Sequence, residues 1–175
     1  MALHIIIDGY NLIRQSRSLS LIDQEDIQSG REALIRMLAA YKKIKGHMIT
    51  VVFDAMYSNA VSRQTESIQG IKVIFSRQGE LADAVLKRLA EKERERALVV
   101  SSDNEILNAA EACGSATISS IEFEDRISMA SYIDNKGLNS MEDEEYGWEP
   151  TTKKVGPSRK RSKKERKQQM KIQKI

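Results

Sequence analysis

The chain reads as an α/β protein: a three-layer, doubly wound and mainly parallel sheet, followed by a disordered or helical basic carboxyl-terminal tail. Two observations predict it. Apolar runs end on an aspartate at Leu3-His4-Ile5-Ile6-Ile7-Asp8, at Met48-Ile49-Thr50-Val51-Val52-Phe53-Asp54 and at Ala97-Leu98-Val99-Val100-Ser101-Ser102-Asp103. Runs that are apolar on both alternating faces mark strands covered by helices on both sides. Between them apolar residues recur at three and four, the period of one helix face, and alternating strands and helices imply right-handed crossovers.

The elements follow in order. After the first strand Gly9 permits a tight turn, and Asn11 begins a short helical or looped stretch. Residues 23–29 are polar. From Gly30 the positions Ala33, Leu34, Met37, Leu38, Tyr41 and Ile44 form one helical face, which Gly46 ends. The second strand runs into Asp54. A polar loop precedes a shorter strand, Ile71-Lys72-Val73-Ile74-Phe75. Gly79 opens a helix through Leu81, Ala82, Val85, Leu86 and Leu89, with Asp83 in its first turns. The strand ending near Ser101 leads into a helix containing Ile106, Leu107, Ala109 and Ala110, closed by Cys113-Gly114. Ala116-Thr117-Ile118 reads as a last strand and 122–133 as a helix.

The formal net charge of +3 conceals an asymmetry. Lys153, Lys154, Arg159, Lys160, Arg161, Lys163, Lys164, Arg166, Lys167, Lys171 and Lys174 face a single acid, Glu165, just after an acidic segment, Glu142-Asp143-Glu144-Glu145. The expected organisation is a folded domain over 1–135, an acidic linker over 136–152 and a basic tail over 153–175. A block this charged is expected to lack a packed core, to be disordered alone, and to bind phosphate without reading sequence. Residues Lys153, Lys154, Arg159, Lys160, Arg161, Lys163, Lys164, Arg166 and Lys167 are the expected nucleic-acid contacts; a solubilising extension is the bland alternative. One cysteine, Cys113, excludes an internal disulfide. The amino terminus lacks the pattern of a signal peptide, and no apolar stretch reaches the roughly 20 residues that span a bilayer. A cytoplasmic protein without a membrane partner is expected.

In open α/β sheets ligands bind beyond the carboxyl ends of the strands. Asp8, Asp54 and Asp103 fall there, and Asp83 joins them if its helix packs with its amino-terminal end toward that edge. Two like charges about 4 Å apart repel by on the order of 4 kcal/mol at an effective dielectric near 20, so converging aspartates oppose folding unless neutralised. Mg2+ or Mn2+ would neutralise them through oxygen ligands, whereas no Cys/His cluster suggests structural zinc. His4 reads as a strand-surface residue. Each acid also has a purely structural role open to it: Asp103 precedes Asn104-Glu105-Ile106 as a helix cap would, and Asp54 precedes a turn. Asp83 interrupts an apolar face and needs a partner. Asn11 stabilises a turn or positions a water or a phosphate.

Ile5-Ile6-Ile7-Asp8-Gly9-Tyr10-Asn11-Leu12, Val51-Val52-Phe53-Asp54-Ala55, Ala82-Asp83 and Val99-Val100-Ser101-Ser102-Asp103 together resemble the successive motifs of NYN domains in the PIN-like nuclease superfamily. Gly114 and Ile121-Glu122-Phe123 resemble the bacterial YacP-like branch. The resemblance implies a metal-dependent endoribonuclease acting on messenger RNA in association with the ribosome. It implies Asp8, Asp83 and Asp103 as holders of Mg2+ or Mn2+, directly or through water, Asn11 as a group orienting a ligand or water, and Asp54 as a further acid of the catalytic set or a group that acts from behind the ligands. Hydrolysis would leave 5′-phosphate and 3′-hydroxyl ends. Gln78-Gly79-Glu80-Leu81 departs from the pattern, leaving Glu80 as an auxiliary acid or a helix-end charge. Arg14, Arg17, Lys87 and Arg88 would extend a phosphate track or simply solvate helix faces. The competing reading is a non-catalytic RNA- or ribosome-binding module; a third keeps the nuclease fold but acts on DNA.

Overall fold

The computed structural model describes residues 2–54, 64–137 and 162–175. Six strands form one sheet: β1 (His4–Asp8), β2 (Met48–Phe53), β3 (Gln64–Ile68), β4 (Ile71–Phe75), β5 (Ala97–Val100) and β6 (Ala116–Ile118), in the order β3-β4-β2-β1-β5-β6. The five strands from β4 to β6 run parallel, and β3 pairs antiparallel with β4 at one edge. The helices are α1 (Gly9–Gln15), α2 (Arg17–Glu25), α3 (Ile27–Lys45), α4 (Ala82–Glu93), α5 (Asn104–Ala112), α6 (Ser120–Gly137) and α7 (Lys163–Ile172).

Side chains of successive strand residues point to opposite faces, and here both faces are buried. Ile5, Ile7, Val51, Phe53, Val73, Leu98 and Val100 share a core with Leu12, Leu34, Leu38, Tyr41, Phe123 and Ile127 from α1, α3 and α6. Ile6, Val52, Ile74, Ala97 and Val99 pack with Val85, Leu86, Ile106 and Ala110 from α4 and α5. The three-layer, doubly wound expectation therefore holds, with helices on each face of a mainly parallel sheet.

Three local readings are corrected, and the polar stretch 23–29 acquires a structure. The polar stretch 23–29 is helical on either side of Asp26, which ends α2 and caps α3 by accepting the Ser29 N–H at 2.8 Å. The polar loop before β4 contains an edge strand, β3, whose exposed Gln64-Thr65-Glu66-Ser67 lack the apolar alternation that reveals a strand. The helix expected to open at Gly79 starts at Ala82. His4 is buried rather than on the surface, with Nε2 2.7 Å from Thr50 Oγ1 and Nδ1 3.5 Å from Glu93.

The carboxyl-terminal segment departs furthest from expectation. A capping box at Ser162 and Glu165 starts α7, which packs beside β6. Gln168 donates through Nε2 to Thr117 Oγ1 at 3.0 Å, covering the open sheet edge. Ile175 is 3% exposed and belongs to the core, with its carbonyl accepting from Tyr41 Oη at 3.2 Å. The charge pattern masked two apolar anchors, Ile172 and Ile175, at the end of the run. We predict that Ile175→Ala lowers the stability measured by urea denaturation by about 2 kcal/mol, the low end for a buried large-to-small change. Met170→Ala, at an exposed position of α7, should change it by less than about 0.5 kcal/mol. Equal midpoints for the two variants would refute the docking of this segment.

Candidate active site

β1 passes into α1 with no loop between them. Asp8 ends the strand and caps the helix, its Oδ1 accepting the Asn11 N–H at 3.1 Å. Gly9 is required by close packing rather than by a left-handed turn: a Cβ there would lie 2.4 Å from the Phe53 ring. The absence of a side chain lets α1 settle against β2, with Tyr10 meeting Phe53 edge-on at 5.1 Å between ring centres.

Asn11 ties three segments together. Its Oδ1 accepts the Ser102 N–H at 2.8 Å and the Ser120 hydroxyl at 2.7 Å, joining α1 to the β5–α5 connection and to the start of α6. Ser101 continues the network, donating to Asp8 Oδ2 at 3.4 Å and accepting the Asp103 N–H at 3.1 Å. Asp103 caps α5 by accepting the Glu105 N–H at 2.7 Å. Capping and exposure to the site coexist in Asp8 and Asp103, so the structural and functional readings of these acids are not exclusive. Across the sheet, Asp54 Oδ2 lies 3.5 Å from the Ala82 N–H at the start of α4, whose first turn carries Asp83.

These acids line one cleft of about 480 Å3 at the carboxyl edge of the sheet, together with Asn11, Tyr10 and Arg14. All five residues expected in the catalytic set, Asp8, Asn11, Asp54, Asp83 and Asp103, are thus brought together from four segments of the chain. Burial pushes the Asp8 carboxyl up to about 6, with Asp83 adding to the shift, against hydrogen bonds from Asn11 and Ser101 and the charge of Arg14. Asp83 is raised as well, by burial and then by Asp103. Lys87 is raised by its hydrogen bond to Glu105 and feels Asp83 and Asp103 too. Among the described residues no three His, Cys, Asp or Glu side chains already stand as a ligand group for a metal ion. The donor set is nevertheless all oxygen, anionic and destabilised by its own repulsion, and it fits a hard divalent cation rather than a soft one.

Lys163, Lys164, Arg166 and Lys167 lie on α7, where Lys167 pairs with Glu95 at 3.2 Å; Lys153, Lys154, Arg159, Lys160 and Arg161 lie outside the described residues. Arg14 lines the cleft, Lys87 adjoins it, Arg17 is exposed on α2, and Arg88 pairs with a nearly buried Glu80. Glu80 is therefore engaged outside the cleft lining. Residue patterns missed Tyr10 and Ser120: the first was signalled by its place beside Asp8, the second by nothing local.

The YacP-like NYN domain family matches residues 5–173. The chain belongs to that family. YacP-like NYN membership supports a nuclease-like, RNA-related role. The chain is 29% identical over 87 residues to the YacP protein of Bacillus subtilis (strain 168), and the match spans about half of either chain, 50% of this one and 51% of the relative. Crystal structures of Rae1 (YacP) from Bacillus subtilis share the fold. The wild-type form superposes with a TM-score of 0.64 at 24% identity over 79% of this chain and 80% of that one; a tryptophan-to-leucine mutant of the same protein gives 0.66 at 23% over 78% and 82%. The family match continues through all of α7, in keeping with that helix's packing on the YacP-like core.

Asp8→Asn keeps an N-cap oxygen but removes the charge. Because folding raises this carboxyl from 3.8 to about 6, its ionisation opposes folding fully above about pH 6 and not at all below about pH 3.8. Without divalent cation the variant should be more stable than wild type by about 2 kcal/mol at pH 7.5, allowing for partial solvent access, with the difference vanishing near pH 4. A pH-independent difference in urea midpoints would contradict the burial of Asp8. Asn11→Ala strands the Ser102 N–H and the Ser120 hydroxyl and should cost about 1–3 kcal/mol in the same assay. Wild-type stability of that variant would contradict the three-way tie.

Proposed function

We propose that the protein is a metal-dependent endoribonuclease that hydrolyses RNA phosphodiester bonds, acting in the cytoplasm on messenger RNA associated with the ribosome. The observation that carries the reading is the convergence of Asp8, Asp54, Asp83 and Asp103 on one cleft with Arg14. Asp8, Asp83 and Asp103 would hold Mg2+ or Mn2+, directly or through water. An ion held there would supply neutralisation of phosphate charge and a lowered pKa for a coordinated water.

The chain's own residues do the remaining work. Asp54 steadies the start of α4 and with it Asp83. Asn11 fixes the connection that carries Asp103. Arg14 offers a guanidinium to a phosphate oxygen, the charge-assisted pairing that suits this group. In-line attack of water would leave a 5′-phosphate and a 3′-hydroxyl. The motif resemblance and the basic residues around α7 support the finer choice of messenger RNA and the ribosome.

The decisive assay follows cleavage of end-labelled single-stranded RNA and of translating ribosomes with Mg2+ or Mn2+. Asp8→Asn and Asp103→Asn should each lower turnover by on the order of 1000-fold, equivalent to several kcal/mol of lost transition-state stabilisation, while RNA binding in EDTA stays near wild type. Retained turnover in both purified variants would refute the assignment. Tight binding with no cleavage of any substrate would favour the RNA-binding module.

A further inference from the structure

A second depression, of about 440 Å3, opens between the amino-terminal half of α3 and the β3–β4 hairpin. Its position follows from register. Gln64 pairs with Phe75, and Phe75 pairs with Phe53, the last residue of β2 before Asp54, so one end of the groove lies at the carboxyl edge that also carries the acidic cleft. Arg31 separates the two. It lines the groove, and its Nε donates to Tyr10 Oη at 2.8 Å, while Tyr10 lines the acidic cleft. The guanidinium carbon also sits 5.4 Å from the centre of the Phe75 ring and 5.8 Å from that of Phe53.

The chemistry of the two depressions differs. The cleft is anionic and suits a cation with a phosphate. In the groove Arg31 and Arg36 are matched by Glu32 and Glu66, giving no net charge, and the exposed amides of Gln64 and Gln28 line it. Gln28 keeps one donor and one acceptor after its Nε2 donates to Glu32 at 3.0 Å and its Oε1 accepts from Arg31 at 3.4 Å. A neutral, amide-lined surface with an aromatic and a guanidinium flank suits an unpaired nucleobase, read along its edge and held on its face. A polymer with phosphates and bases in alternation is the ligand that engages both depressions across one partition.

We propose that the α3/β3–β4 groove is a base-binding subsite for single-stranded RNA, taking a base close to the phosphate positioned in the acidic cleft. The proposal takes its polarity and its substrate from the nuclease reading above. Gln28 and Gln64 recognise the base edge, Arg31 and Phe75 flank it, and Arg31 keeps Tyr10 in place between the two depressions.

The test uses the full chain and a short single-stranded oligoribonucleotide carrying 4-thiouridine. Cross-linking in EDTA, with the linked peptide mapped by mass spectrometry, should mark β3 or the first half of α3. The Gln28→Ala/Gln64→Ala double variant, altered only at exposed positions, should melt like wild type but bind the oligonucleotide on the order of tenfold more weakly. In the cleavage assay its KM should rise while kcat stays close to wild type, the signature of binding lost equally from ground and transition states. Wild-type affinity and KM in the double variant, or cross-links confined to other segments, overturn the subsite even if the enzyme cleaves. Groove cross-links and weakened binding without cleavage by wild type uphold the subsite and overturn only the catalytic reading.

Discussion

The site depends on the direct passage of β1 into α1. Asp8 must end a strand whose neighbours on both sides are buried, and in the same position it must present an oxygen to the first turn of a helix. That double duty fixes the carboxylate to within a hydrogen bond of the backbone, and it works because Gly9 lets the helix close onto Phe53. A longer connection would free Asp8 to turn toward solvent; a side chain at residue 9 would lift α1 and carry Tyr10 and Asn11 with it. Asn11 then extends the constraint, since its single oxygen holds both Ser102 and Ser120.

Electrostatics gives this scaffold its purpose. A carboxyl that burial holds near pH 6 is only partly relieved by its hydrogen bonds, and Asp83, itself raised, lies within electrostatic reach. Such an arrangement opposes the fold in isolation and is favoured only when positive charge arrives. Structural ion pairing would have placed a lysine or arginine directly against Asp8 and Asp83. Here Arg14 lines the cleft, and Lys87, though near Asp83 and Asp103, is hydrogen-bonded to Glu105. The imbalance separates this cleft from ordinary surface charge such as the pair between Lys167 and Glu95.

Sheet and site were legible because their signals are short-range and redundant. Strands buried on both faces are apolar throughout, and a strand-end aspartate has few positions open to it, so Asp8, Asp54 and Asp103 could be placed on one edge before any contact was known. Asp83 was legible through its intrusion between Ala82 and Val85. β3 was not, because an exposed edge strand carries the composition of a loop. The burial of His4 was hidden for a different reason: its partners, Thr50 and Glu93, come from distant segments, and a local pattern cannot reveal such satisfaction. Arg31 was hidden in the same way, being one more charge on an amphipathic helix until the fold brought Tyr10, Phe53 and Phe75 around it.

The carboxyl terminus shows how a charge count misleads when the fold uses part of the charge itself. Lys163, Lys167 and Lys171 recur every fourth residue and so share one face of α7, which meets Glu95 and Glu111 across a shallow depression. Lys167 holds the Glu95 carboxyl below its ordinary range, and burial lowers the Lys171 ammonium. The helix is seated over the β6 edge chiefly by Gln168 and by Ile172 and Ile175 beneath, and the exposed pair between Lys167 and Glu95 adds little. Arg166 remains exposed on α7. A phosphate chain that engaged Lys163, Lys167 and Lys171 would have to compete with Glu95 for them. For the RNA-binding role proposed for this segment, the affinity would be smaller than its formal charge implies, because part of that charge already interacts with Glu95.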